Sequence, residues 1–314
     1  MSVKMAHDGY VEQVQLLVRI LPVAAEETVF ALKGGTAINL FYRDLPRLSV
    51  DIDLAYLPVK GRAESLAEID EAMDRIAAGI ERTLRSVQVR RIAGGGGSET
   101  RILARVGRVE VKIETSPVIR GVVHEPEIRE TRQLVQDRFG YAEIQVVSFE
   151  DLFGGKLHAA FDRQHPRDLF DVKLLYENEG LTDALFRTFF VYVASSPRPT
   201  HELLDPGLTD LDQSFRREFS GMTSAPLKVE ELVATRTRLI ADIRARLDAT
   251  TGKFLLSLHD AAPDFSVIGL PQAAELPAVR WKLQNLERLI EKNPGKHADQ
   301  REALQRLLQD GRSG

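Results

Sequence analysis

Two aspartates spaced two residues apart, Asp51 and Asp53, stand in the apolar run Ser49-Val50-Asp51-Ile52-Asp53-Leu54, downstream of Lys33-Gly34-Gly35-Thr36-Ala37. A β-strand sends alternate side chains to opposite faces, so an extended run here puts Ser49, Asp51 and Asp53 on one face. Val50, Ile52 and Leu54 then point the other way. Like charges on one face repel unless a cation lies between them, and an all-oxygen donor set suits a hard ion such as Mg²⁺. Glycines opening a helix leave backbone N–H groups accessible to phosphate oxygens. Together these residue types point to the chemistry of phosphates and their metal ion.

A second strand offers further groups. Over Val109 to Thr115, the side chains of Glu110, Lys112 and Glu114 alternate with Val109, Val111 and Ile113. Alone, this pattern describes an exposed edge strand of mixed charge. Beside Asp51 and Asp53, a third carboxylate would complete a two-metal clamp that activates the attacking oxygen and steadies the leaving phosphate. Glu114 is the first choice for that carboxylate and Glu110 the alternative. Lys156, in Phe153-Gly154-Gly155-Lys156-Leu157-His158, is either a surface lysine or a point cation for triphosphate oxygens. Asp168 and Asp171 lie at i and i+3 on a helix and are neighbours. Acidic residues in that place also complement a helix start.

These residues need two kinds of element to hold them. Residues 9–32 read as a helix interrupted near Leu21-Pro22, because proline cannot continue a helix interior. A short helix over Thr36 to Tyr42, a loop over Arg43 to Arg47 and a strand over Leu48 to Tyr56 follow. An amphipathic helix spans Ala63 to Leu84, and strands are expected over Ser86 to Ile92, Arg101 to Val106, Val109 to Thr115 and Glu143 to Val147. The run Gly94-Gly95-Gly96-Gly97 reads as a hairpin tip, since no helix follows it. From Ser148 the pattern turns helical, over about 149–163 and 167–178 and again in a tail after the Pro- and Gly-rich Ser195 to Pro206. The fold class is α/β, a lobe with a sheet followed by a mainly helical lobe.

Composition narrows the function classes. A chain of 314 residues, 43% hydrophobic and 28% charged, is large enough for two lobes. No apolar run approaches the roughly 18 residues of a membrane span, and the start from Met1 to Asp8 lacks the apolar core expected of a signal peptide. Without cysteine, disulfides and thiolate sites are excluded, which fits a cytoplasmic protein with no membrane partner. A formal net charge of −4 exerts no global pull on nucleic acid. Between Arg82 and Arg120, however, nine Lys or Arg stand against three Glu, a local basic face.

Gly34-Gly35-Thr36 followed by Asp51-Ile52-Asp53 resembles the signature of the DNA polymerase β-like nucleotidyltransferase superfamily. Lys112-Ile113-Glu114, Lys156 in its Gly-Gly-Lys turn, and Arg167-Asp168-Leu169-Phe170-Asp171 narrow the likeness. These four motifs, in order over residues 33–175, resemble the AbiEii toxin family of bacterial type IV toxin–antitoxin and phage-defence systems. The resemblance implies a polymerase β-like nucleotidyltransferase lobe with a mixed sheet over 1–147, and a helical lobe over 148–314 that contributes Lys156 and Asp168 to a cleft. It implies Mg²⁺ on Asp51, Asp53 and Glu114, and a nucleoside triphosphate held by Gly34, Gly35, Thr36, Lys112 and Lys156. The implied reaction transfers NMP to the 3′ end of tRNA, which blocks aminoacylation and arrests growth until an antitoxin intervenes. Basic residues of 82–120 would then track the RNA backbone. Two other readings stay open. The acceptor could be a protein hydroxyl, or Glu110-Val111-Lys112 could be the Glu-x-Lys half of a metal-dependent nuclease site.

Overall fold

Ile52, Leu54, Ile102, Ala104, Val111 and Ile113 recur at every second position along three segments, and all six are completely buried. The structure, a computed structural model, describes residues 3–92 and 100–310; the glycine run Gly94 to Gly97 lies outside the described residues. Seven strands form one sheet: β1 (Phe30–Lys33), β2 (Asp51–Tyr56), β3 (Gln88–Ile92), β4 (Arg101–Val106), β5 (Val109–Arg120), β6 (Glu127–Glu130) and β7 (Glu143–Val146). Their order is β3-β4-β5-β2-β1-β7-β6. The sheet is mixed: β2 runs parallel to β5 and β1 parallel to β7, while the remaining pairs are antiparallel.

Two long helices, α1 (Val3–Ala24) and α3 (Arg62–Thr83), cover the apolar face, with the short α2 (Gly34–Ala37) between them in sequence. In α3, Ile69, Ala72, Met73, Ile76 and Ile80 recur at helical spacing and are buried. Such a stripe hides one side of a helix against an apolar sheet face. The opposite sheet face carries Asp51 and Asp53 of β2, Arg101 and Arg105 of β4, and Glu110, Lys112 and Glu114 of β5.

One expected element changes type. The helix expected over 9–32 ends at Ala24, passes through Pro22 in its last turn, and is followed by strand β1. Near a helix end the missing proline N–H disturbs little that follows. Phe30-Ala31-Leu32 is a short apolar run whose periodicity does not separate strand from helix; pairing with β2 and β7 on its two sides makes it a strand. Strand β6 and helix α4 (Gln133–Phe139) are additions to the expected set.

The chain divides into two units, Met1–Ser148 with Ser220–Pro226, and Phe149–Phe219 with Leu227–Gly314. The returning segment joins the first unit through the Met222 carbonyl, which accepts from the Leu48 N–H at 2.9 Å, and through the Pro46 carbonyl, which accepts from the Ser224 N–H at 2.9 Å. Helices make up the second unit, among them α5 (Phe149–Asp162), α6 (Pro166–Asn178) and α7 (Asp183–Ala194). Phe153, Phe161, Phe189, Phe190 and Phe254 form its core. Among the described residues no helix is long and apolar enough to cross a membrane.

Candidate functional site

Parallel pairing of β2 with β5 sets Asp51 opposite Lys112 and Asp53 opposite Glu114. Neighbouring strands extend the second row, with Lys33 opposite Asp53 and Arg101 opposite Glu114. Cross-strand partners share a face, so all of these side chains lie on the face away from Ile52 and Leu54. Lys112 Nζ is 3.0 Å from Glu114 Oε1 and 3.9 Å from Asp51 Oδ2. Arg101 Nε lies 2.9 Å from Glu114 Oε2. Glu110 stands opposite Arg105 instead, one strand repeat short of Lys112 and two short of Glu114.

The two facing carboxyls respond in opposite directions. Burial foremost pushes the Asp53 carboxyl above the ordinary range; Lys33 draws it down, while Glu114 and Asp51 push it further up. Burial acts in the same sense on Glu114, but Lys112 and Arg101 overcome it and hold that carboxyl below the usual value. Asp53 is therefore the carboxylate most in need of a cation.

Gly34 brings backbone against Asp53, and Gly35 brings it against Arg47 and Ser49. Gly34 has φ +75°, and a Cβ on it would lie 2.4 Å from Asp53 Oδ2, so both conformation and space require glycine. A Cβ on Gly35 would come within 2.7 Å of Arg47 Nη2 and 2.8 Å of Ser49 Oγ. Thr36 is fully buried; its hydroxyl donates to the Asp51 carbonyl at 2.5 Å and lies 3.2 Å from Ser49 Oγ. The Asn39 amide donates to the Gly35 carbonyl at 2.7 Å. Thr36 thus fastens the glycine turn to the start of β2.

The basic run is split by the sheet. Arg90 and Arg105, with Gln88, Val89, Leu103 and Glu110, line an open groove of about 360 Å³ beside the carboxylates. Register places Arg90, Leu103, Lys112 and Asp51 in one cross-strand row. Arg91 points to the other face, where it pairs with Asp70 at 2.6 Å and with Asp74, both on α3. Arg101 is engaged by Glu114.

In the second unit Lys156 is 7% exposed and bridges Asp168 at 2.7 Å and Asp171 at 3.0 Å. Arg163 Nε reaches Asp168 Oδ2 at 2.6 Å. Two cations therefore share two buried carboxylates. The glycines before Lys156 let a neighbouring helix pack close, since a Cβ on Gly154 would meet the Tyr192 ring at 3.1 Å and one on Gly155 would meet it at 3.3 Å. The Tyr192 hydroxyl in turn donates to Asp151 at 3.0 Å.

The family model described as nucleotidyl transferase AbiEii toxin, type IV toxin–antitoxin system, matches residues 15–285. The chain belongs to the AbiEii family. The nucleotidyltransferase toxin MenT4 (Rv2826c) of Mycobacterium tuberculosis H37Rv shares its fold, with a TM-score of 0.62 at 15% identity over 91% of this chain and 99% of that chain. No curated protein matches the chain in sequence. Membership of AbiEii makes the chain a nucleotidyltransferase toxin with a nucleoside triphosphate as substrate.

For an AbiEii enzyme the donor chemistry around Asp51 and Asp53 fits a divalent metal. Both are hard oxygen donors on one face, and the Lys112 ammonium already stands near them as a counter-charge. Among the described residues no three acidic or imidazole side chains converge ready to hold an ion, and Glu114 is engaged by Lys112 and Arg101. Arg47, 3% exposed and close to Gly35, is a cation that reading the sequence passed over as part of a loop. Its nearness to Ser49 in sequence was the available signal.

Proposed function

We propose that this AbiEii toxin transfers a nucleoside monophosphate from a nucleoside triphosphate to the 3′ end of tRNA in the cytoplasm, in a Mg²⁺-dependent reaction opposed by a cognate antitoxin. The observation that carries the reading is the register of β2 on β5, which aligns Asp53 with Glu114 and Asp51 with Lys112 on one open face. Asp51 and Asp53 would hold the metal, with Glu114 as the third acid once its carboxylate leaves Lys112. When bound, the metal supplies charge stabilisation for the attacking and leaving oxygens.

The chain's own groups do the rest. N–H groups of the Gly34-Gly35 turn and the Arg47 guanidinium receive phosphate oxygens, with Thr36 holding that turn against β2. Lys112, freed from Glu114 and Asp51, joins them. Lys156 has the nucleotide-binding role implied by the family pattern, its ammonium fixed in one position by Asp168 and Asp171. The acceptor's 3′ hydroxyl gives up its proton to solvent and attacks the α-phosphorus in line; the bond from that phosphorus to the bridging oxygen breaks and pyrophosphate leaves. Arg90 and Arg105 give the acceptor's phosphates a path along the groove. With its 3′ terminus extended, the tRNA cannot be aminoacylated, and growth stops.

Incubation of the purified protein with each α-labelled triphosphate and total RNA tests this reading. Label at RNA 3′ ends with release of pyrophosphate is expected. Label on protein would move the acceptor to a protein hydroxyl, and shortened RNA without label would restore the nuclease reading of Glu110-Val111-Lys112.

A further inference from the structure

Arg120 closes β5 as the cross-strand partner of Tyr56. The Tyr56 hydroxyl donates to Glu68 of α3, so Arg120 lies on the helix-covered side of the sheet, away from Asp53 and Glu114. It is 6% exposed, and neither Nε nor Nη1 has a hydrogen-bond partner among the described residues. A guanidinium carries five donors, and burying such a group with its donors unused is costly.

The end of β5 lies beside the end of β2, from which a short loop leads into α3 at Arg62. Burial foremost, then the Arg62 charge, push the Arg120 guanidinium below its ordinary value, while Tyr56 acts in the opposite sense. Arg62 is the first residue of the 22-residue helix α3, whose N-cap, Gly61, makes no side-chain cap. A Cβ on Gly61 would meet nothing within 4 Å, so the chain is open to solvent at the helix entry. The nearby carboxylates of Glu64 and Glu68 are matched by Lys60, at 3.4 and 3.1 Å. An anion at this end of the sheet would match the buried guanidinium and would be favoured by the positive helix start as well.

We propose that Arg120, Arg62 and the start of α3 form a binding site for one phosphate group, on the opposite face of the sheet from the carboxylates. Tetrahedral phosphate offers enough oxygens for two guanidinium forks and a helix terminus together. The phosphate is carried either by RNA bound around this face or by a small phosphorylated effector.

The test is calorimetric titration of the full chain with inorganic phosphate, against sodium chloride at equal ionic strength, with melting temperature as a second readout. Wild type should bind phosphate saturably and melt higher in it. Arg120→Met should lose at least tenfold in affinity and melt higher than wild type in phosphate-free buffer, because the unmatched buried charge is gone. Arg62→Met, on an exposed turn, should weaken binding without disturbing the fold and covers the case in which Arg120→Met fails to fold. Arg306→Met, an exposed arginine of the second unit, should retain this phosphate binding. A nitrocellulose-filter assay with tRNA then distinguishes the sources. If Arg120→Met also weakens RNA binding and reduces its salt slope by about one, the phosphate belongs to RNA; if RNA binding is unchanged, it belongs to a free phosphorylated compound. Absence of saturable phosphate binding by wild type, or equal binding by wild type, Arg120→Met and Arg62→Met, would overturn the proposal. Neither result bears on whether nucleotide transfer occurs.

Discussion

Asp53 and Glu114 face each other across adjacent parallel strands, yet their carboxyls are displaced in opposite directions, Asp53 upward and Glu114 downward. Glu114 has Lys112 and Arg101 within 3.0 Å, whereas Asp53 meets the backbone of Gly34. The nearby cations thus offset burial at Glu114 but not at Asp53, even with Lys33 opposite it.

Replacing the Asp53 carboxylate separates activity from stability. Asp53→Asn should abolish nucleotide transfer, a loss of several kcal/mol of barrier stabilisation. It should also raise the melting temperature of the metal-free protein, because a desolvated charge beside two others is removed. Transfer rates and differential scanning calorimetry on the same preparation check both outcomes; a wild-type rate would remove Asp53 from the site.

Gly34→Ala should be the more damaging of the two glycine substitutions. Its φ of +75° is strained for alanine and its Cβ would collide with Asp53, costing roughly 1–3 kcal/mol. At Gly35 the intruding Cβ meets the end of the Arg47 side chain and the Ser49 hydroxyl, which can shift, so Gly35→Ala should cost less stability while weakening triphosphate binding. Urea midpoints and nucleotide titration would compare the two.

Lys156→Met leaves Asp168 and Asp171 buried with their shared ammonium removed. Removing one partner of a buried ion pair costs up to about 3–5 kcal/mol, and with Arg163 still on Asp168 a clear fall in the unfolding midpoint is expected. Nucleotide affinity measured well below that midpoint reads the proposed nucleotide role separately from the fold.

Acid should unfold the protein partly through Asp168. Burial alone would raise its carboxyl, but the Lys156 charge and the Arg163 hydrogen bond outweigh it and hold the group well below the ordinary 3.8. The unfolded chain then takes up the proton more readily, so the stabilisation is complete above about pH 4 and is lost as pH falls through the folded value. Asp168→Asn should flatten this acid limb in a series of melts from pH 6 to pH 2; an unchanged slope would contradict the assignment.

Arginines of the basic run should not behave alike. Arg90→Ala and Arg105→Ala, at the groove, should each weaken RNA binding and reduce the salt slope by about one or slightly less. Arg91→Ala breaks pairs with the exposed Asp70 and Asp74 and should cost at most about 1 kcal/mol of stability, with RNA binding nearly unchanged. Equal loss of binding in all three variants would refute the groove as the acceptor path.

Local spacing was enough to place the carboxylates of β2, and those of β5, each on one face of its strand. Period-two alternation put Asp51 and Asp53 opposite Ile52 and Leu54, and a glycine pair before a short helix marked the turn that approaches them. What spacing cannot carry is register, since sliding one strand along another preserves its own alternation. Only pairing in three dimensions set Glu114 rather than Glu110 against Asp53. Phe30 to Lys33 became a strand for the same reason, because partners distant in the chain supplied its hydrogen bonds. Tertiary packing also decided the environment of each charge. Neighbours from other elements turned Arg91 into a tie to α3, enclosed Lys156 between two aspartates, and left Arg120 buried without a counter-ion among the described residues. Residue type sets which charges a chain possesses; the desolvation and company of each charge exist only once the chain has folded.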